Sequence, residues 1–238
     1  IPSLVGSEMC IRDRPMTRIS TNEFVADAIR LHAHPESLHE VVPIGHDVGF
    51  FWTERSGGIE RERPLRVAYT TWKSRLGDEL AATTAGRGAF AFRRLTHEVA
   101  WPDLRDLYRW ADVFIGTPLP EEGTYLPGLE AMAAGAIVVM PDVGGNRTYA
   151  SFDETCLEAR LGEANSYLAA IERIRSMAPS ETDTLRAAGQ AAARRHSLDE
   201  ERVAFEEVLR RLEGEVTPRQ SHPAVSAARR SAFREGWE

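Results

Sequence analysis

The feature that most constrains the fold is a regular alternation of apolar runs and helix-patterned segments that begins at Leu65. DVFIG and AIVVM are apolar runs, and LRVAYT is a further candidate for a buried strand, as expected for strands that are buried on both faces. Segments between them, such as PDLRDLYRWA, repeat apolar residues at helical spacing. Strands that alternate with helices build a parallel sheet with helices on both sides. We therefore predict a Rossmann-like, doubly wound α/β lobe that ends in C-terminal helices.

Further elements follow from helix caps and turn residues. FAFRRLT is predicted to be another strand, and PGLEAMAAG a short helix, because Pro127 stands near its start and Gly135 just past its end. Three helices follow towards the C-terminus, and Ser180 and Ser197 are predicted to cap the last two. In the first 63 residues, STNEFVADAIRLHA favours a capped helix and HEVVPIGHDVGFF a strand that runs into a turn. TERSGGIERERP is predicted to be an exposed connection, with a domain boundary near Pro64.

Composition and charge exclude several classes of protein. A hydrophobic content of 42% with 27% charged residues is ordinary for a globular chain, and a net charge of −7 offers no broad field for nucleic acid. No apolar run approaches the roughly 18 to 20 residues of a membrane span. The two cysteines, Cys10 and Cys156, support neither a disulfide framework nor a cysteine-based metal site. A reducing, cytoplasmic location is therefore expected.

The first residues raise a separate hypothesis. One choice of codons for Met9–Arg14, MCIRDR, spells the end of a transposon that is used to fragment DNA for sequencing, so we interpret residues 1–14 as a sequencing-adapter scar. The chain is then expected to be a metagenomic fragment that lacks the beginning of its protein. The remaining division is residues 15–63 as the remnant of an N-terminal lobe with its connection, 64–213 as a nucleotide-binding lobe with closing helices, and 214–238 as a flexible tail.

Ligands of doubly wound sheets bind where the strands end, which directs attention to the loops TTWKS, TPLPEEGTY and PDVGGNRT. Glu122 and Glu130 are separated by seven residues, so the first precedes the short helix and the second lies about one turn inside it. Gly123 permits close backbone approach, and free amides at a helix start favour anionic groups. Spacing alone leaves an alternative open, in which these carboxylates are solvated charges.

The longer string EEGTYLPGLEAMAAGAIVVMPDVGGNRTY resembles the signature of retaining glycosyltransferases of the GT-B fold, the GT4-like group. In that signature two glutamates seven residues apart precede an AMAxG turn, an apolar strand and a Gly-Gly loop. The resemblance extends over roughly residues 17 to 212, and identifies the chain as the C-terminal lobe of such an enzyme with a truncated N-terminal lobe.

The resemblance implies roles for individual residues. Glu122 is expected to contact the hydroxyls of the donor sugar, and Glu130 the ribose hydroxyls of the nucleotide; ionised carboxylates accept from vicinal hydroxyls. The loop amides at Gly123, Thr124, Tyr125 and Leu126 are expected to hold the sugar and phosphate. Lys73 and Arg75 stand where the family has a basic pair for the pyrophosphate, but their spacing is tighter than the family's. Which of them holds the pyrophosphate is therefore open, with Lys73 the first choice.

The implied reaction is transfer of a hexosyl group from a nucleotide-sugar donor to an unidentified acceptor with retention of configuration, with Glu122 and Lys73 as catalytic residues. No metal or other cofactor is expected, and the chain has no Asp-x-Asp motif. No nucleic-acid partner is expected, and contact with a membrane surface is expected only through the missing lobe. Two alternatives stay open: a GT-B-fold epimerase or phosphorylase, and a non-catalytic module that binds nucleotide-sugars.

Overall fold

The computed structural model describes residues 14–96 and 99–215, without the side chain of Glu215. The predicted adapter scar, up to residue 13, and the predicted tail beyond residue 215 lie outside the described residues. The final helix includes Gly214 and Glu215, two residues that the sequence had assigned to the tail. Within the described ranges, no helix is both long enough and apolar enough to cross a membrane.

The described chain contains seven strands and eight α-helices. In order they are β1 (Thr17–Ser20), α1 (Glu23–Arg30), β2 (Leu38–Val41), α2 (Val48–Phe51), β3 (Leu65–Thr70), α3 (Leu76–Thr83), β4 (Phe90–Leu95), α4 (Trp101–Trp110), β5 (Val113–Ile115), α5 (Leu126–Ala133), β6 (Ile137–Met140), β7 (Leu157–Glu158), α6 (Ala164–Ser176), α7 (Pro179–Arg194) and α8 (Leu198–Glu215). A short 3-10 helix (Gly144–Thr148) lies between β6 and β7.

Five strands form one parallel sheet in the order β4-β3-β5-β6-β7. The chain starts this sheet at β3, adds β4 on one side and then continues with β5 on the other. This reversal of direction is the topological switch point of a doubly wound fold, which lies between β3 and β5. The predicted α/β fold class is confirmed.

Apolar side chains cover both faces of this sheet, which explains why its central strands are apolar without alternation. Val67 and Tyr69 of β3 face one buried cluster together with residues of α3, α6 and α7, whereas Ala68 faces the other with residues of α4, α5 and α7. β6 divides in the same way, because Ile137 and Val139 belong to the first cluster and Val138 and Met140 to the second. The sheet is thus the centre of the hydrophobic core.

The N-terminal part forms a separate β1-α1-β2 unit. β1 and β2 pair in parallel, with Thr17 opposite Leu38 and Ser20 opposite Val41. The predicted helix and β2 are present, but β1 is a strand that the sequence analysis missed. Asn22 caps α1, because its side-chain oxygen accepts a hydrogen bond from the amide of Val25 at 2.9 Å.

The connection between this unit and β3 is more tightly held than its polar sequence predicts. Ile59 is buried in the core, and Arg55 and Arg63 both form ion pairs with Asp112, at 3.1 and 2.6 Å. Arg66 at the start of β3 completes the cluster, with a side-chain pair at 2.9 Å and a backbone hydrogen bond to the same carboxylate at 3.0 Å. The prediction of an exposed connection is therefore wrong for these residues, since they anchor the segment to the amino end of the sheet.

Of the two predicted serine caps, one is present. The hydroxyl of Ser197 accepts a hydrogen bond from the amide of Glu200 at 3.1 Å at the start of α8. Ser180 lies inside α7, which begins one residue earlier at Pro179 and has Ala178 at its cap position. Proline suits the first helical position because its φ is fixed and it has no N–H to satisfy, and this moves the helix start ahead of Ser180.

Candidate functional site

The loops after β3 and β5 meet at the switch point of the sheet. Because β3 and β5 are adjacent parallel strands, residues 71–75 and 116–125 leave the sheet side by side at its carboxyl edge. Crevices at this position are where doubly wound folds bind their ligands. Residues of these two loops therefore form the candidate site.

Lys73 and Glu122, predicted from separate segments, form an ion pair at this edge. The Nζ atom of Lys73 contacts Oε2 of Glu122 and lies 5.3 Å from the centroid of the Tyr125 ring. Oε2 of Glu122 also accepts a hydrogen bond from the amide of Leu119 at 3.2 Å. The side chains of Lys73 and Glu122 are 31% and 19% exposed, so a ligand can reach both. A cation and a carboxylate thus stand together at the switch point.

Arg75, the second predicted cation, has a different environment. Its side chain is 81% exposed, and its Nε forms an ion pair with Oδ2 of Asp78 at 2.8 Å on the first turn of α3. Of the two predicted cations, the structure therefore brings Lys73 to the carboxylate Glu122 and pairs Arg75 with its own helix.

The predicted loop from Gly123 to Leu126 runs directly into α5, where Pro127 has no N–H and the amide of Gly128 donates to the carbonyl oxygen of Tyr125 at 3.1 Å. The cap residue Tyr125 makes no side-chain hydrogen bond to the helix amides, and the first turn contains no acidic residue. Such a helix start favours anionic groups. The Tyr125 ring is buried below the loop, where its hydroxyl accepts a hydrogen bond from the amide of Thr117 at 3.2 Å. Tyr125 can therefore offer a ligand its backbone but not its hydroxyl.

Glu130 lies on the buried side of α5 and differs sharply from Glu122. Only 7% of Glu130 is exposed, and its Oε2 accepts a hydrogen bond from the Tyr108 hydroxyl at 3.2 Å. Burial raises the pKa of Glu130 to about 7, because a carboxylate loses its hydration there. A buried group that titrates near neutrality is typical of functional sites. The family resemblance predicted this residue, but nothing in the sequence indicated Tyr108 as its partner.

A residue far away in sequence, which the sequence analysis missed, holds the Gly123–Thr124 loop. The side-chain amide nitrogen of Asn22 donates to the carbonyl oxygen of Gly123 and to Oγ1 of Thr124, the latter at 3.2 Å. On another side, Gly145 packs so tightly that a Cβ atom there would overlap the carbonyl oxygens of Glu122 and Gly123. The Ser/Thr/Asn cluster before α1 indicated a helix cap, but nothing in it indicated a contact 101 residues away.

A small cavity opens next to Lys73. It has a volume of about 190 Å³ and is lined by residues of the loops after β3, β5 and β7, among them Lys73, Ser74, Thr117, Leu119 and Gly162. Tyr167 closes it from α6, with its hydroxyl donating to the carbonyl oxygen of Gly116 at 2.8 Å. Among the residues that the structure describes, no group of three or more His, Cys, Asp or Glu side chains is placed to hold a metal ion.

A comparison with protein families gives one match, which covers the middle of the chain. Residues 75–177 match the family described as Glycosyl transferases group 1, which is a little under half of the chain and includes Glu122, Glu130 and the whole of α5. No curated protein sequence matches the chain.

Solved structures share the fold at low sequence identity. Sucrose-phosphate synthase from Thermosynechococcus elongatus is 17% identical with a TM-score of 0.64, over 84% of this chain and 59% of that one. A glycosyltransferase from Rickettsia africae is 14% identical with a TM-score of 0.66, over 82% and 62%. HepE of Anabaena, solved with UDP and glucose, is 15% identical with a TM-score of 0.66, over 89% and 68%.

The chain thus spans about three fifths of the length of the first two of these proteins. Its five-stranded parallel sheet with helices on both faces is the architecture of the C-terminal lobe of GT-B glycosyltransferases. The chain therefore has the fold of that lobe, and its segment 75–177 matches the group 1 glycosyl transferases.

Proposed function

We propose that this chain is the donor-binding half of a retaining hexosyltransferase of the GT4-like group, which transfers a sugar from a nucleotide-sugar to an acceptor. The observation that carries the proposal is the Lys73–Glu122 pair at the switch point. A nucleotide-sugar presents a polyanionic diphosphate beside a ring of hydroxyl donors, and the pair offers a cation beside an acceptor of hydrogen bonds. Each half of the pair is thus suited to one half of the donor.

In this proposal Glu122 accepts hydrogen bonds from the sugar hydroxyls and Lys73 faces the pyrophosphate. The bond between the anomeric carbon and the phosphate oxygen breaks, and its electron pair stays on the departing nucleoside diphosphate. The acceptor oxygen bonds to the same face of that carbon, and its hydroxyl proton passes to the departing diphosphate. Lys73 stabilises the charge that accumulates on the leaving diphosphate. No metal is assigned to this step, because the proposal gives the charge stabilisation to Lys73 and the helix start.

The loop before α5 is assigned to the sugar and the adjoining phosphate, and α5 to the ribose. Backbone amides from Gly123 to Leu126 would hold phosphate or sugar oxygens, since the first turn of α5 has neither a side-chain cap nor an acidic residue. Glu130 would bind the ribose hydroxyls. Ribose binding brings two hydroxyl donors to its carboxylate and therefore favours the ionised form, which burial disfavours in the free protein.

Two further expectations belong to this proposal. The similar Anabaena structures contain UDP, glucose or UDP-glucose, which supports a nucleotide-sugar as the ligand of this chain. The acceptor, and any contact with a membrane surface, would depend on residues outside this chain. We place the protein in the reducing cytoplasm, because its buried Cys156 is a free thiol.

Calorimetry with UDP, GDP and ADP tests the donor site. We expect the chain to bind one of these nucleotides and Glu130→Ala to abolish this binding, with Glu130→Gln as the variant that best preserves packing. Glu121→Ala serves as the matched control, because Glu121 is an exposed carboxylate in the same loop. The proposal would be contradicted if the chain bound none of the three nucleotides.

A second experiment separates the transferase from the alternatives. A longer form of the protein with a complete first lobe should consume the sugar nucleotide only when an acceptor is present, and NMR should show the product with the donor's anomeric configuration. Conversion of the sugar nucleotide without an acceptor would indicate an epimerase, and consumption that requires inorganic phosphate or produces sugar phosphate would indicate a phosphorylase. Binding without any turnover across an acceptor panel would indicate a non-catalytic module.

A further inference from the structure

The Gly123–Thr124 loop is held by a residue of the β1-α1-β2 unit, Asn22, which no feature of the loop itself identifies. Asn22 is 2% exposed and lies at the start of α1. Its side chain forms hydrogen bonds with both α1 and the loop before α5. Oδ1 accepts from the amide of Val25, and Nδ2 donates to Gly123 and Thr124. These partners fix the orientation of the amide group, since exchanging oxygen and nitrogen would place each against a partner of its own kind.

The contact between Asn22 and the loop is a closed arrangement of three groups. Nδ2 of Asn22 donates to the carbonyl oxygen of Gly123 and to Oγ1 of Thr124, and the Thr124 hydroxyl donates to that same carbonyl oxygen at 2.7 Å. Buried polar groups that satisfy one another in this way fix a single geometry, because each displaced group would be left without a partner.

The rest of the surroundings leaves the loop little freedom to move. Gly145 of the 3-10 helix packs against the carbonyl oxygens of Glu122 and Gly123, and Gly144 packs against the ring of Phe24 on α1. On the α1 side, a Cβ atom at Gly123 would lie 3.4 Å from a methyl group of Val25. The Glu122–Gly123 segment is thus enclosed between α1 and the 3-10 helix, with Asn22 supplying the polar contact.

We infer that Asn22 is a positioning residue, through which the β1-α1-β2 unit sets the geometry of the Gly123–Thr124 loop and with it the affinity for the sugar part of the donor. This inference rests on the proposed function, because it assigns Glu122 and the Gly123–Thr124 part of the loop to the sugar and leaves the diphosphate to Lys73 and the start of α5. Lys73 lies in the loop after β3, and Glu130 lies in α5. The hydrogen bonds of the Asn22 side chain go to Val25, Gly123 and Thr124, and not to the residues assigned to the pyrophosphate and the ribose. Loss of the hydrogen-bond donor of Asn22 should therefore weaken binding of the sugar nucleotide more than binding of the nucleoside diphosphate.

Asn22→Asp removes the hydrogen-bond donor of the side chain and keeps its role as the cap of α1. Aspartate caps a helix as well as asparagine does, but it presents a second acceptor to the Gly123 carbonyl instead of a donor. Calorimetry compares UDP, GDP and ADP with UDP-glucose, GDP-mannose and ADP-glucose. For the sugar nucleotide that the wild type binds most tightly, we expect the dissociation constant to rise about tenfold in Asn22→Asp. The dissociation constant of the matching nucleoside diphosphate should change less than about twofold. Asn22→Ala should show the same selective loss together with a lower melting temperature, because it also removes the cap.

Hydrogen exchange of the ligand-free protein supplies a second measurement. The amides of residues 121–126 should exchange faster in Asn22→Asp than in the wild type, while the central strands of the large sheet keep their protection. The neighbouring exposed Glu23→Gln is the control for the first turn of α1 and should change neither measurement.

The positioning role would be overturned if Asn22→Asp weakened binding of the sugar nucleotide and of the diphosphate equally. Unchanged hydrogen exchange of the amides of residues 121–126 would also overturn it. A wild-type chain that binds no nucleotide would instead contradict the proposed function, and hydrogen exchange would still decide whether Asn22 holds the loop.

Discussion

Tyr108 donates a hydrogen bond to Glu130 over 3.2 Å, and both side chains are buried where α4 packs against α5. The neutral hydroxyl compensates only part of the hydration that the carboxylate has lost, so the pKa of Glu130 stays at about 7. The relationship gives the residue assigned to the ribose a charge that changes near neutral pH.

The first prediction concerns stability and pH. Between pH 4.5, the ordinary pKa, and pH 7, the unfolded chain releases the proton of Glu130 while the folded chain keeps it, so the free energy of unfolding falls as pH rises. Glu130→Gln should remove this dependence and stabilise the protein at pH 8 by about 3 kcal/mol at most. Urea denaturation between pH 4.5 and 8 checks it, with Glu121→Gln as the control. Parallel pH profiles of wild type and Glu130→Gln would contradict the assignment.

The second prediction separates the two cations of the loop after β3. Lys73→Met should weaken binding of the nucleoside diphosphate by about 10- to 100-fold, the range expected when a charge-assisted hydrogen bond is lost. Arg75→Met should change the same dissociation constant less than about twofold, because Arg75 is exposed and pairs with Asp78. Calorimetry at low and at physiological salt measures both. An equal loss in the two variants would show that Arg75 also reaches the pyrophosphate.

The third prediction concerns the buried carboxylate of Asp112. Its side chain is 1% exposed and pairs with Arg55, Arg63 and Arg66. Burial opposes its ionisation, but hydrogen bonds from Arg63 and Arg66 hold the pKa of Asp112 well below its usual range. Asp112→Asn should lower the free energy of unfolding at pH 7 by about 3 to 5 kcal/mol, because it leaves arginine charges without their counter-ion. Urea denaturation measures this.

The acid dependence of the same variant has a definite sign. Because the folded-state pKa of Asp112 is depressed, its contribution is complete above the ordinary pKa of 3.8 and is lost as pH falls below it. The difference between wild type and Asp112→Asn should therefore shrink in acid. Asp183→Asn, an exposed carboxylate 3.8 Å from Arg186, is the control and should stay within about 0.5 kcal/mol of wild type.

The fourth prediction tests the close approach of the 3-10 helix to the Glu122–Gly123 segment. Gly145→Ala places a methyl group on the carbonyl oxygens of Glu122 and Gly123, so we expect a loss of about 1 to 3 kcal/mol in stability and weaker binding of sugar nucleotides. Gly49→Ala is the matched control, because a Cβ atom there meets its nearest neighbour at an ordinary 3.6 Å. Thermal melting and calorimetry check both variants. A fully stable Gly145→Ala that binds like wild type would contradict the close packing.

The large sheet could be predicted because its signals are local. β3 and β6 are apolar runs, and Pro127 and Gly135 bound α5 within a few residues of its actual ends. β1 escaped prediction because its sequence, TRIS, contains a single apolar residue, and β7 because it spans only two residues, so neither shows an apolar run. The pairing of β1 with β2 is decided by contacts across the unit and not by either segment.

The candidate site divides in a similar way. Lys73, Glu122 and Glu130 could be proposed from their types and from a motif of fixed spacing, and the structure brings the first two together. Asn22 and Tyr108 could not be assigned to the site, because each reaches it by folding across 101 or 22 residues. Their local sequence is fully explained by a helix cap in one case and by an apolar helix face in the other.

The Asp112 cluster has a practical consequence for engineering. It lies at the amino ends of β3 and β5, whereas Lys73 and Glu122 leave the carboxyl ends of the same two strands. Mutational libraries directed at the loops can therefore explore new ligand preferences without disturbing the ionic anchor that fastens the N-terminal segment. Randomising that anchor would act first on thermal tolerance, and it would reach recognition only through the N-terminal unit that carries Asn22.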